Sequence, residues 1–207
     1  MASIVNAISV MATDSGNLPM TEKHTPDYLS DISAKLSVNG IASDGIWYHG
    51  TASGLVDAIV ADGLIGGGDS EFLNRTQQTL GTIGGRQFES KDPVFITQSK
   101  ELAYYWAEQK TRARNIYFQK DETPVVFAIN LPSELADKVK PDVGAAALVM
   151  EPGNDYVTKL QELYIDNGIT LNEVNPLQVD RSYFLQMLAM AYIQDQIPAT
   201  ALTLLKA

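Results

Sequence analysis

Six consecutive residues, Ile46-Trp47-Tyr48-His49-Gly50-Thr51, carry the clearest chemical signal in the chain. The apolar and aromatic lead-in reads as a strand, Gly-Thr breaks it, and a helical pattern begins at Ser53. His49 therefore stands at a strand end, facing whatever cleft the strand opens into. The glycine after it lets a ligand approach the backbone closely, because no side chain is in the way. A packed, hydrogen-bonded core histidine has the same signature, and the His-Gly pair alone does not separate the two readings. Metal chemistry has little to draw on. Cysteine is absent, His24 and His49 are the two histidines, and no His-Glu-x-x-His spacing occurs, so no metal is expected. Arg75 and Arg86 lie in the polar, glycine-containing segment 66–92 and suit phosphate oxygens; nothing in the sequence chooses between them.

Short elements must position these groups. Pro26-Asp27 caps a helix predicted over 28–36, with Tyr28, Leu29, Ile32 and Leu36 apolar. A second helix over 53–62 repeats Leu55, Val56, Ile59 and Val60 at helical spacing and ends at Gly63. The long segment 66–92 reads either as a loop over the ligand site or as a surface insertion. A β-rich run, 94–97, passes through Gln98-Ser99 into a helix reaching about 114, with Ser99 as N-cap and Leu102, Ala103 and Trp106 on one side. Lys110, Arg112 and Arg114 give that helix a basic end, where its dipole favours cations. Further strands are predicted over 125–131, 145–150 and 169–175, the last stopped by Pro176. A helix over 155–166 ends at Asn167-Gly168. Over 181–197, Phe184, Leu185, Leu188, Ala191 and Tyr192 predict an amphipathic helix that packs on the domain or on a partner.

Size and charge bound the rest. The 207 residues, 45% hydrophobic and 19% charged, suit one domain with an ordinary core. Residues 1–40 are expected to form an N-terminal segment, partly mobile or export-related, ahead of the main domain over 41–207, which the resemblance described next implies to be catalytic. Fifteen basic against 25 acidic residues give a net charge of -10, which argues against a nucleic-acid partner because phosphate neutralisation needs a basic face. No basic n-region or long apolar h-region marks a secretory signal near the start, and no apolar run approaches the ~20 residues that span a bilayer. No membrane span is expected. An export signal of the kind bacterial effectors carry stays open.

Tyr48-His49-Gly50-Thr51, the run Phe95-Ile96-Thr97-Gln98-Ser99-Lys100-Glu101-Leu102-Ala103-Tyr104-Tyr105-Trp106-Ala107, and Pro124-Val125-Val126-Phe127-Ala128-Ile129-Asn130-Leu131-Pro132 together resemble the ADP-ribosyltransferases of the His-Tyr-Glu type. The likeness is to the diphtheria toxin and exotoxin A group and, more distantly, to the poly-ADP-ribose polymerases, and it covers about 47–175. It implies an α+β, ADP-ribosyltransferase-like fold: two packed antiparallel sheets around an NAD cleft, with flanking helices. No Gly-x-Gly-x-x-Gly motif follows a strand to favour a parallel dinucleotide fold instead.

The resemblance also assigns roles. His49 would hydrogen-bond the adenosine-side ribose, Gly50 would grip the nicotinamide carboxamide through its backbone, and Thr51 would assist. Phe95 and Trp106 fall where the family has two tyrosines and would stack on the nicotinamide, a task any aromatic face performs. Their phenol hydroxyls are missing here. A shifted register would use Tyr104 or Tyr105, and Ser99 and Tyr104 complete the cofactor-binding set. Glu173, on a late strand, would be the catalytic glutamate that stabilises the oxocarbenium ion, with Glu151 as its alternative. Leu171 stands two positions before Glu173, so the Glu-x-Glu signature of arginine-modifying relatives is missing.

By that likeness the chain is expected to transfer ADP-ribose from NAD to a host protein such as ubiquitin or a translation factor, as a secreted bacterial effector acting in the host cytoplasm. Three other readings stay open. One is an NAD glycohydrolase with water as acceptor, another an inert NAD- or protein-binding module of the same fold. An RNA 2'-phosphotransferase would need basic patches that the acidic balance makes hard to supply.

Overall fold

Extended residues 46–52 form β3 (Ile46–Ala52), which pairs along its whole length with β5 (Pro124–Asn130), from Ile46 opposite Asn130 to Ala52 opposite Pro124. β10 (Leu202–Leu204) adds to the outer side of β5. A second antiparallel trio consists of β4 (Val94–Thr97), β9 (Met190–Ile193) and the two-residue β6 (Lys140–Pro141). The trios touch through one residue pair, Tyr48 opposite Thr97. In this computed structural model, which describes residues 25–67, 69, 92–144, 149–151, 154–171, 178 and 180–205, the strand order is therefore β10-β5-β3-β4-β9-β6. Two small hairpins, β1 (Leu36–Ser37) with β2 (Gly40–Ile41) and β7 (Val149–Glu151) with β8 (Asn154–Asp155), complete the described strands. The molecule is α+β with antiparallel sheets. Where two separate sheets were expected, the described residues form one six-stranded order that is almost divided at β3 and β4.

Strand alternation gives the large sheet two apolar faces. On one, Trp47, Phe127, Ile129, Ile96, Ala191 and Ile193 pack against Ile59 of α2 (Val56–Asp62) and against Leu64, Leu135 and Ile197. On the other lies α3 (Lys100–Phe118), whose Ala103 and Ala107 meet Val126. The start of α3 continues into a further core, in which Leu102 joins Tyr28, Leu29 and Ile32 with Tyr156, Leu160 and Leu163 of α5 (Tyr156–Asp166) and Met187 of α6 (Arg181–Leu188). Between these, α1 (Ser30–Ser33) follows a single helical turn at Asp27–Leu29, and α4 (Ser133–Ala136) follows Pro132. Tyr28, Leu29 and Ile32 are thus core residues, and the division placed at residue 40 falls inside the β1-β2 hairpin.

Several elements differ from their predicted extents. The helix predicted over 28–36 ends at Ser33, and Leu36 belongs to β1. β3 does not break at Gly50-Thr51 but runs on to Ala52, so His49 is mid-strand, paired with Phe127. Residues 169–171, the described part of the strand predicted over 169–175, lie in no strand. The helix predicted over 181–197 stops at Leu188. Ala189 turns left-handed at φ 51°, and the next four residues become β9, completing the backbone hydrogen bonding of β4. Helical and strand periodicity both fit its apolar positions, and the sheet's need for a partner strand decides between them. The helix predicted to reach about 114 runs on to Phe118 and ends at Gln119, also left-handed. Lys110 and Arg114 are consequently more than one turn from its end, and carboxylates answer their charge in place of the helix dipole. Among the described residues, no helix is long and apolar enough to cross a membrane.

Candidate functional site

Past the Tyr48–Thr97 pair, β3 and β4 part, and the imidazole of His49 fills the place where backbone pairing stops. Its Nδ1 lies 2.8 Å from the carbonyl oxygen of Phe95. A carbonyl can only accept, so Nδ1 carries the hydrogen, and neutral His49 keeps a lone pair on Nε2 for a ligand hydroxyl. Burial lowers the pKa of His49, and the nearby charge of Lys110 adds to this against the opposing pull of the Phe95 carbonyl. The neutral, acceptor form is therefore favoured at physiological pH.

The gap opens into a cleft of about 870 Å³ whose walls include Tyr48, His49, Gly50 and Thr51 of β3, Phe95 to Thr97 of β4, and Ala103, Trp106, Gln109 and Lys110 of α3, with further lining from α2, β9 and the connecting segments. Such a volume lies in the upper part of the range of small-molecule sites. Phe95 is 50% exposed, an unusual state for its type, and its ring leans towards Tyr192 at 6.4 Å. Trp106 is braced edge-on by Tyr105 at 5.1 Å, and Tyr105 in turn meets Tyr28 at 5.2 Å. Residues 26–33 thereby help to set the angle of an aromatic wall.

Gly50 has a structural task besides lining the cleft. A Cβ there would overlap the carbonyl oxygen of Ala103 and lie 2.9 Å from the nitrogen of Ala107. The missing side chain lets α3 press onto β3, which brings Trp106 and Lys110 beside His49. On this face the glycine serves helix packing.

The structure thus brings together His49, Gly50, Thr51, Phe95 and Trp106 on one cleft. Ser99 and Tyr104 are not among its walls. The Ser99 hydroxyl accepts the Leu102 N–H at 2.9 Å and donates to Asp31 at 2.6 Å, while Asp31 also accepts the Lys100 N–H at 2.7 Å. That fully occupies Ser99 in capping α3. Tyr104 packs beside Ala103 and Val126, and Tyr105 supports Trp106 from behind. Glu173, Arg75 and Arg86 lie outside the described residues, as does most of the segment 66–92. Glu151 ends β7, opposite Asn154 of β8.

Sequence reasoning missed the charged walls, which are Asp62, Asp69, Asp92, Asp142 and Lys110. Gln109 and Lys110 follow Trp106 by three and four residues, so helical spacing alone would have found them. No local pattern marks the aspartates. Beneath the cleft, Asp69 bonds both Lys110 and Arg114 at 2.6 Å, and Glu122 holds Arg114 through two hydrogen bonds of 2.7 and 2.9 Å. The guanidinium also lies 4.8 Å above the Phe118 ring. Hydrogen bonding to Arg114 holds the Glu122 carboxyl below its ordinary range. Burial would raise Asp69, but Lys110 and Arg114 outweigh it and the net shift is downward. Arg114 is raised still further, first by Glu122. Asp69, Glu122 and Arg114 are accordingly charged at neutral pH. No family profile, curated protein or solved structure matches this chain.

Proposed function

We propose that the chain is an NAD-dependent mono-ADP-ribosyltransferase, with the nicotinamide end of NAD bound between Phe95 and Trp106 in the cleft where β3 and β4 part. The observation that carries this reading is the convergence of His49, Gly50, Phe95 and Trp106, from segments some 46 residues apart, on one cleft. A flat ring can stack on either aromatic wall, and neutral His49 can accept a ribose hydroxyl at Nε2. Breaking the bond between nicotinamide and ribose leaves positive charge on the sugar, which a carboxylate stabilises. Glu173 is assigned that role from the resemblance described above. The same resemblance supplies the acceptor, a protein that in a bacterial effector's case belongs to the host.

Purified protein incubated with labelled NAD and a eukaryotic lysate tests this. Expected are a labelled protein band and nicotinamide release, both lost in His49→Ala and Glu173→Ala. Nicotinamide release without labelled protein would shift the assignment to an NAD glycohydrolase. Absence of both would leave a binding module of the same shape.

A further inference from the structure

Four aspartates and one lysine are the charged side chains on the described walls of the cleft, an acidic balance for a site expected to take a diphosphate. Lys110 is the exception, and its setting is specific. It sits one helical turn beyond Trp106, its side chain is 30% exposed, and its ammonium lies 2.6 Å from Asp69. Lys110 and His49 both line the cleft. Arg114, one turn further, is 4% exposed, is held by Glu122 in a bidentate pair, and is not a wall residue. Two cations and two anions make this cluster neutral. Because the Glu122 pair already balances Arg114, the partner that Asp69 chiefly balances is Lys110.

We propose that Lys110 is the diphosphate-binding residue of the cleft and that Asp69 is its built-in counterion, which an incoming phosphate displaces. The choice of a dinucleotide's diphosphate as ligand rests on the reading of the cleft given above. An ammonium suits this task because it is a compact charge that re-aims without a fixed fork geometry. Asp69 keeps Lys110 extended towards the cleft in the meantime, and Arg114 keeps Asp69 in place. The carboxylate competes with the ligand for the same cation, so removing its charge has the opposite effect from removing that of Lys110.

Calorimetric titration of the full chain with ADP-ribose, nicotinamide and inorganic pyrophosphate tests the proposal. Lys110→Met is expected to weaken ADP-ribose by about ten- to a hundred-fold, the range of a charge-assisted hydrogen bond, and to leave nicotinamide affinity unchanged. Lys110→Arg restores most of the loss, and Asp69→Asn tightens ADP-ribose and steepens its salt dependence. Unaltered melting temperatures show that the variants fold. Wild-type affinity for ADP-ribose in Lys110→Met, or weakening in Asp69→Asn, overturns the proposal. If the wild type binds neither nicotinamide nor ADP-ribose, the dinucleotide reading fails on its own. Pyrophosphate binding that is lost in Lys110→Met would then still support Lys110 as an anion site, and its absence would overturn that too.

Discussion

Replacing Gly50 by alanine adds one methyl group and tests how the cleft is built. The new Cβ would sit inside contact distance of the Ala103 carbonyl oxygen and 2.9 Å from both the Ala103 carbonyl carbon and the Ala107 nitrogen. These are backbone atoms of a 19-residue helix, so no rotamer change relieves the overlap and α3 must move off β3. Overpacking a tight site costs about 1–3 kcal/mol, and more where the obstacle is backbone. Against this, Gly→Ala gains roughly 0.4–1 kcal/mol by restricting the unfolded chain. A net loss of about 2 kcal/mol corresponds to a fall of roughly 4–8 °C in melting temperature for a chain of this length. Differential scanning fluorimetry and urea unfolding of Gly50→Ala supply the number. Ala103→Gly is the control, since it removes a side chain but leaves the offending carbonyl. The double variant should be no more stable than Gly50→Ala. A Gly50→Ala melting temperature within about 1 °C of wild type, or rescue by Ala103→Gly, would refute the reasoning.

Arg114→Leu leaves Asp69 and Glu122 as nearly buried carboxylates and should cost about 3–5 kcal/mol, read by chemical denaturation. Because both carboxyls are held below their ordinary values of 3.8 and 4.5, their stabilisation is present above those values and is lost as pH falls through the lowered ones. Arg114→Leu should therefore show a flatter acid limb in a plot of stability against pH. Asp31→Ala removes the acceptor of the Ser99 hydroxyl and the Lys100 N–H and should cost about 1–3 kcal/mol, measurable as a lower urea midpoint. For His49, whose folded pKa lies below 6.5, the unfolded chain binds more protons just under that pH. Stability should thus decline as pH falls from about 6.5 towards the folded value, and His49→Gln should remove that decline in thermal melts across pH 7.5 to 5.

Much of the frame was legible because local signals and tertiary demands agree. β4, β5 and α5 lie within a residue or so of their predicted spans, β3 starts where expected but runs past the Gly50-Thr51 break to Ala52, and Gly63 and Ser99 end and start their helices as their chemistry suggests. Residues 190–193 were misread because Phe184, Leu185, Leu188, Ala191 and Tyr192 keep helical spacing and no glycine marks the stop; a long-range partner, β4, draws the chain into a strand. The two-residue β6 and the three-residue β10 carry too little pattern to be seen locally. In the site, His49, Gly50, Phe95 and Trp106 could be grouped from their motifs. The Asp69–Lys110–Arg114–Glu122 cluster could not, since it depends on which loops fold back onto α3. Gly50 was read as room for a ligand; its missing side chain also makes room for a helix, which no local pattern announces.

Calorimetric titration of NAD into the wild type, Phe95→Ala and Trp106→Ala addresses the central claim most directly. Saturable binding is predicted, with each variant weakened by roughly three- to ten-fold, the worth of one aromatic stacking contact. Failure of the wild type to bind NAD, or unchanged affinity in both variants, would contradict the assignment of this cleft to the nicotinamide end of NAD.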